Sequence, residues 1–398
     1  MTAIAASPGA GQFGLRTLLV LAMAMPMLLL YAVGALGPQL VRELAIAPQS
    51  LGYFTLGSFG VAALLSLRAG ALVNRVGARH GLAALFGSVA LTFALLASLP
   101  GWHSLLLASA LLGMAQALAN PVTNLLIAQR VAPRQRAFTV GLKQSGVQLA
   151  ALFAGLVLPS CALQIGWRAA FALVVPLALL LSLLALRQPE PPLAKAGPLA
   201  AVAPLNSRLA LLMAIQCCVG IALSAFITYL PLHAVSLGMA PAEAGLLVAL
   251  FGAMGMLSRL VMTPLAARLR EEALLLAGLL LVSALSMALI LQADATRSAL
   301  LWLAVAGVGL AAVATNAIAM SMLIRDAAFG GVASASGMVS AAFFAGLALG
   351  PASVGEWALR ANALGSVWEV LLGVLALGIV LCLSLAQLRR RTGTHVAA

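Results

Sequence analysis

The segment FTVGLKQSGVQLAALFAGLVLP, residues 138–159, combines two properties that conflict. It is apolar, and it is long enough to cross a lipid bilayer as an α-helix. It also carries one cation and two amides, Lys143, Gln144 and Gln148. A charge at the centre of a membrane helix costs roughly 2.5–3.5 kcal/mol on insertion scales, so such residues are usually paired, facing water or functional. The segment therefore predicts membrane-spanning helices with a polar site among them.

The composition of the whole chain is that of a polytopic membrane protein. Of its 398 residues, 63% are hydrophobic and 8% are charged, and the mean hydropathy is +1.12, whereas a soluble chain carries about 25% charged residues. The net charge of +13 comes from basic residues in short loops, which indicates membrane orientation and no nucleic-acid partner. No nucleotide-binding loop, zinc motif or nucleophile elbow is present, so we expect no cofactor, no metal and no enzyme activity.

Twelve apolar segments of membrane-spanning length follow one another along the chain. These predicted spans are residues 16–38, 51–73, 81–99, 104–128, 137–159, 167–186, 209–231, 244–266, 273–291, 299–323, 330–351 and 364–386. If the N-terminus is cytoplasmic, fifteen Lys and Arg residues lie on the cytoplasmic side and four on the other. This bias predicts that both termini are cytoplasmic. The many Ala, Leu and Arg residues with only two Lys favour a bacterial inner membrane.

The two halves of the chain repeat each other. Residues 137–158 match residues 328–349 at 11 of 22 positions, a shift of 191, and several shorter motifs recur at almost the same shift. A Pro-rich segment, residues 187–208, separates the sixth and seventh spans. The sequence therefore predicts an all-α membrane protein of two pseudosymmetric six-helix bundles, residues 1–186 and 209–398, with residues 187–208 as a cytoplasmic linker.

This architecture resembles that of the major facilitator superfamily, in which two parallel six-span halves are joined by a cytoplasmic linker. GALVNRVGAR, residues 70–79, resembles the superfamily's motif in the loop between spans two and three, and GWRAAF, residues 166–171, resembles its common start of span six. The loop motif matches through Gly70, Asn74, Arg75, Gly77 and Arg79. The resemblance implies a transporter that works by alternating access, with this loop controlling the conformational change.

The two glycines of the loop motif have a structural explanation. The sequence departs from the family pattern at two other positions, and both departures bear on function. Gly77 allows a tight turn, and Gly70 allows close helix contact. Asn74 stands where many relatives carry Asp, so a gating ion pair loses its anion. Ser109 stands where span four often carries an Arg that is associated with proton coupling, which argues against coupling by the usual route.

Three basic residues, Arg68, Lys143 and Arg259, lie inside predicted spans, whereas all nine acidic residues lie near span ends or in loops. Each cation could instead extend to the cytoplasmic boundary. The resemblance implies that spans five and eight meet between the halves, which would bring Lys143 and Arg259 together without a carboxylate. An anionic substrate would supply the missing charge, and Arg259 could hold a carboxylate through two parallel N–H contacts.

Arg259 also resembles the span-eight Arg of monocarboxylate transporters and oxalate exchangers, although Gly255 stands where monocarboxylate carriers often place an Asp. Polar residues at helical spacing complete the predicted site, and the resemblance implies that spans one, four, seven and ten line the cavity. The predicted substrate-binding residues are Arg259, Lys143, Gln144, Gln148, Asn120, Asn124, Asn316, Tyr31, Tyr229 and Arg68. Hydrogen bonding between helices and simple packing are the alternatives for the amides and tyrosines.

The sequence thus predicts a monomeric secondary transporter in the lipid bilayer that carries a small organic anion, a carboxylate. Protons or a counter-anion are the candidate coupling partners. One alternative is an efflux pump for hydrophobic or cationic drugs, which two unpaired cations would disfavour. Another is a membrane sensor with a transporter fold, because a fold alone does not prove transport.

Overall fold

The computed structural model describes residues 8–188, 205–269, 271–294, 296–330, 332–360 and 365–391, and within these residues every regular element is helical. The α-helices are α1 Pro8–Ala35, α2 Gly37–Leu44, α3 Gly52–Val76, α4 Ala78–Ser98, α5 Trp102–Arg130, α6 Pro133–Leu156, α7 Leu158–Ile165, α8 Trp167–Ala172, α9 Val174–Leu186, α10 Ser207–Ser236, α11 Pro241–Arg268, α12 Glu272–Ala288, α13 Ala299–Ala312, α14 Ala314–Arg325, α15 Val332–Arg360 and α16 Ser366–Arg391. Residues 189–204 of the predicted linker lie outside the described residues, and the predicted boundaries of the two bundles stay a prediction.

Twelve segments of the described chain are long and apolar enough to cross a membrane, which confirms the predicted number. The predicted spans 167–186 and 299–323 agree with the structure at both ends. The fifth span ends at Ile165 and is therefore longer than predicted. Its helix is interrupted at Val157, just before Pro159, and then resumes as α7. The spans therefore correspond in order to α1, α3, α4, α5, α6 with α7, α8 with α9, α10, α11, α12, α13 with α14, α15 and α16.

The loop motif forms the turn between α3 and α4. Gly77 has a φ of +88°, a conformation that residues with a Cβ rarely adopt, so the glycine is required by the turn. Asn74 and Arg75 are exposed, and Arg79 is half-buried. A Cβ at Gly70 would meet nothing within 4 Å, so this glycine makes no close helix contact in this conformation. A gating role for the motif stays a prediction.

The first six and last six spans pack closely at the end of the bundle where α1 ends, which we call the far end. Tyr53 donates a hydrogen bond of 2.7 Å to Glu356, joining α3 to α15. Beside this contact, a Cβ at Gly52 would overlap the backbone of Pro351. Tyr229 donates to the Pro351 carbonyl at 2.6 Å within the last six spans, and its hydroxyl lies 3.4 Å from the Gln49 carbonyl of the first six spans. These contacts close the far end of the interface.

Charged side chains tie the last six spans together at the opposite end. Arg389 on α16 lies 3.1 Å from Glu272 on α12 and 3.4 Å from Asp326, which follows α14. Arg325 also pairs with Glu272, and Arg208 on α10 lies 3.7 Å from Asp326. These two buried carboxylates lie at helix ends, as the sequence indicated for the acidic residues, and each is paired there with basic side chains.

Glycines allow α6 and α11 to pack with their backbones close together. A Cβ at Gly155 on α6 would overlap the backbone of Gly245 and Ala249 on α11. Helix association in lipid depends on packing of this kind, because lipid chains are as apolar as the side chains themselves. Gly141 lies on the same helix, α6, with nothing within 4 Å of an added Cβ, and it offers a matched control.

We expect Gly155→Ala to lower the thermal stability of the purified protein by several degrees, since overpacking costs about 1–3 kcal/mol. Gly141→Ala should leave stability unchanged or raise it, because Ala favours a helix by about 0.5–1 kcal/mol over Gly. The midpoint temperature of thermal unfolding, measured in detergent, compares the two variants with the unmodified protein. Equal effects of the two substitutions would show that the contact between α6 and α11 is looser than described.

Candidate functional site

A cavity lies at mid-depth between the first six and the last six spans. Its empty volume is about 810 Å³, including the part that is continuous with solvent. Helices α1, α5, α6, α10, α11, α14 and α15 contribute to its lining. The polar lining side chains are Tyr31, Gln116, Asn120, Gln144, Gln148, Arg259, Asn316 and Ser340. Within the described residues, the lining therefore holds one cation and no carboxylate.

The guanidinium of Arg259 is satisfied on one side only. Its Nη1 donates to the backbone oxygen of Gln144 at 2.5 Å and to the Oε1 of the same residue at 3.2 Å. Its Nε is buried and has no hydrogen-bond partner within the described residues. Nε and Nη2 form one of the two-donor edges with which Arg holds a carboxylate. A ligand with two acceptor oxygens would complete this unsatisfied side of the guanidinium.

Lys143 lies behind the cavity wall and is held by neutral oxygens. Its side chain is 1% exposed. The ammonium donates to Thr123 Oγ1 at 2.7 Å, Asn124 Oδ1 at 2.6 Å and Asn120 Oδ1 at 3.3 Å, which uses all three of its donors. The structure therefore keeps this cation in place without a carboxylate and away from direct contact with the cavity.

Asn120 joins the two cations into one hydrogen-bonded chain. Its Oδ1 accepts from Lys143 and, at 3.3 Å, from Gln144 Nε2, while Gln144 Oε1 accepts from Arg259. Because both neighbours donate, the carbonyl side of the Asn120 amide is fixed toward them. Its Nδ2 is left as a donor on the cavity wall. The chain runs from α5 through α6 to α11 and so crosses between the first six and the last six spans.

Gln148 occupies space that a side chain at position 255 would need. A Cβ added to Gly255 would lie 2.8 Å from both Cδ and Oε1 of Gln148. Gln148 is 2% exposed, and its Oε1 has no hydrogen-bond partner within the described residues. The absence of a side chain at 255, which the sequence showed as a departure from monocarboxylate carriers, thus makes room for an amide from α6.

The structure brings six of the ten predicted site residues to the cavity: Arg259, Gln144, Gln148, Asn120, Asn316 and Tyr31. Lys143 and Asn124 lie behind this wall, bonded to each other. Tyr229 is part of the far-end contact, where its hydroxyl donates to Pro351. Arg68 is exposed on α3, outside the cavity lining. A substrate-binding role for any of the ten stays a prediction.

Other residues that shape the site were not singled out from the sequence. Ser258, next to Arg259, donates to the Leu310 carbonyl at 2.5 Å, close to the interruption between α13 and α14. Phe251 and Phe343 contribute to the cavity wall. The sequence signal for these residues is weak, because serine and phenylalanine are ordinary in apolar helices and only the rotation of each helix brings them to the site.

A bundle of twelve membrane-spanning segments with a polar cavity between two sets of six is the architecture of a secondary transporter. The family model for the Major Facilitator Superfamily matches residues 18–351, and the chain belongs to that superfamily. The predicted family and all-α fold are confirmed, and the protein is a transporter rather than an enzyme.

A solved structure with the same fold is that of a bacterial homologue of the human lysosomal transporter Spinster, in an inward-facing and occupied conformation. It is 17% identical to this chain and aligns with a TM-score of 0.70 over 98% of each chain. At this identity the likeness shows the fold alone. No curated protein sequence matches the chain.

A double-mutant cycle tests whether Lys143 is held as a charged group. Thr123→Val should destabilise the protein by about 1–3 kcal/mol, because a buried charged donor loses an acceptor. The same change in a Lys143→Met background should cost little, since no donor remains to be satisfied. Equilibrium unfolding of the four proteins gives the coupling free energy. Additive effects would mean that Thr123 does not stabilise the ammonium.

Proposed function

We propose that this transporter carries small organic anions, specifically carboxylates, by alternating access across a bacterial inner membrane, with both termini cytoplasmic. The observation that supports this most directly is Arg259 on the cavity wall, whose buried Nε has no hydrogen-bond acceptor within the described residues. A carboxylate fits the edge formed by Nε and Nη2 with two parallel, charge-assisted hydrogen bonds. It would also supply the negative charge that the lining lacks within the described residues.

The alternative of cationic-drug efflux has less support from the same geometry. A cation in the cavity would meet Arg259 directly and Lys143 one layer behind it. No carboxylate of the described lining residues would offset this repulsion. In a medium of low dielectric constant, repulsion between like charges is strong. The cavity therefore favours anions over cations.

Charge also restricts the coupling mechanism that we propose. The described lining residues include no Asp or Glu that could carry a proton through the transport cycle. The substrate itself then neutralises Arg259, which suits exchange of one anion for another or uptake of an anion together with a proton.

We expect mono- or dicarboxylates, and neither cationic drugs nor sugars, to stabilise the purified protein against heat. A ligand at 100 times its dissociation constant raises the free energy of unfolding by about 2.7 kcal/mol. Arg259→Gln should abolish this shift and the flux of the same anion into proteoliposomes, because the carboxylate loses its charged partner. The measurements are a thermal-shift screen followed by transport assays.

Arg68→Gln is the matched control, since Arg68 is an exposed cation outside the cavity lining. It should retain both the thermal shift and the flux. Stabilisation by cationic or neutral compounds only, unchanged in Arg259→Gln, would contradict the anion assignment and favour drug efflux. Full transport by an Arg259→Glu variant would contradict it as well.

A further inference from the structure

We propose that the cavity selects monocarboxylates with an apolar body, such as an aromatic ring or a short aliphatic chain, over dicarboxylates. This inference rests on the proposed function, because it names the substrate class of the Arg259 site. Three features of the cavity support it: the single available cation, the limited hydrogen-bonding capacity of the lining amides, and the largely apolar wall formed by α10 and α15.

The described residues offer a ligand one positive charge. Arg259 is the cation of the cavity lining. Lys143 is 1% exposed, and its three donors are already used by Asn120, Thr123 and Asn124. A second carboxylate on the substrate would therefore lose its water on entering the cavity without gaining a cationic partner, which is unfavourable.

Two lining amides already have partners within the protein. Gln116 Nε2 donates to the Pro26 carbonyl at 2.6 Å. Asn316 Nδ2 donates to Gln216 Oε1 at 3.1 Å. Gln116 Nε2 also contacts Met27 Sδ at 3.3 Å, so both of its N–H groups are used, and turning to a second carboxylate would give up a buried hydrogen bond. Asn316 Nδ2 keeps one N–H group, but this donor is neutral and does not offset a second negative charge.

The remaining amide groups fit one carboxylate. Gln144 is bonded at both ends of its amide, to Arg259 and to Asn120. Asn120 Nδ2 has no hydrogen-bond partner within the described residues, so it remains as one further neutral donor for an anion. Gln148 Oε1 is buried beside Gly255 without a hydrogen-bond partner, and as an acceptor it offers nothing to a second carboxylate. The polar wall thus provides one anion-binding position.

The wall formed by α10 and α15 is largely apolar, with Ser340 as its polar lining residue. Phe343 and Phe344 of α15 and Leu223 and Ile227 of α10 line it, with Phe251 of α11 toward the far end. Phe251 and Arg259 are eight residues apart on one helix, which is about 12 Å along its axis. A carboxylate at Arg259 would therefore direct the rest of the substrate toward Phe251 and against these side chains. Burial of apolar surface there would strengthen binding.

The test is a binding series measured by calorimetry on the full-length protein in lipid nanodiscs, with empty nanodiscs subtracted. The ligands are acetate, propionate, butyrate, valerate and phenylacetate, with succinate as the dicarboxylate matched to butyrate and butyramide as its neutral analogue. We expect binding to tighten roughly fourfold for each buried methylene. Succinate should bind at least about tenfold more weakly than butyrate, because its second charge stays without a partner.

Phe343→Ala should reduce the gain from acetate to phenylacetate while leaving acetate binding unchanged. Phe153→Ala is the matched control, because Phe153 is an exposed aromatic residue on α6 outside the cavity lining. If Phe343→Ala does not fold, the series on the unmodified protein still decides the question, since its slope and the succinate comparison need no variant.

Failure of this inference and failure of the proposed function give different results. A flat series, or succinate binding more tightly than butyrate, would overturn the selectivity for apolar monocarboxylates. If binding were then lost in Arg259→Gln, Arg259 would remain the anion site. Absence of carboxylate binding would overturn the proposed function together with this inference. Equal binding of butyramide and butyrate, in the unmodified protein and in Arg259→Gln alike, would do the same.

Discussion

The rest of the structure depends on one constraint, that a polar group in hydrocarbon must find its partners within the protein. Lys143 meets it with three neutral oxygens, whereas Arg259 meets it on one side only. The chain of hydrogen bonds from Lys143 through Asn120 and Gln144 to Arg259 also joins α5 and α6 to α11. The bonds that stabilise the two cations therefore also orient the donors of the cavity.

The site is divided between two sets of helices that approach each other most closely at the far end. The guanidinium comes from α11, and the amides around it come from α5 and α6. Movement of one set against the other would change the distance between Arg259 and Gln144, so alternating access would alter the candidate site itself. A ligand that bridges the two walls is sensitive to that movement, which is how binding and conformational change become linked.

The twelve spans could be predicted because apolar length is a local property of sequence. The lengthening of the fifth span could not, because the helix resumes at Leu158 with Pro159 in its first turn. The site was predictable only in part. Arg68 and Lys143 are both single cations in apolar segments, yet Arg68 is exposed whereas Lys143 is buried, with 1% of its surface accessible. A helix that is apolar on all sides does not reveal which side faces its neighbours. Contacts such as that of Ser258 with Leu310 depend on this rotation.

The contact between Gln148 and Gly255 has a consequence for how relatives of this protein can differ. The two positions lie on α6 and α11, more than one hundred residues apart, yet they share one volume. A larger residue at 255 requires a shorter one at 148, so the two positions should covary among homologues. Arg259 resembles the span-eight Arg of monocarboxylate carriers, which often place an Asp at the position of Gly255. An acid at 255 would then be accompanied by a small side chain at position 148. Such a pair would mark lineages in which the ionic character of the cavity has changed.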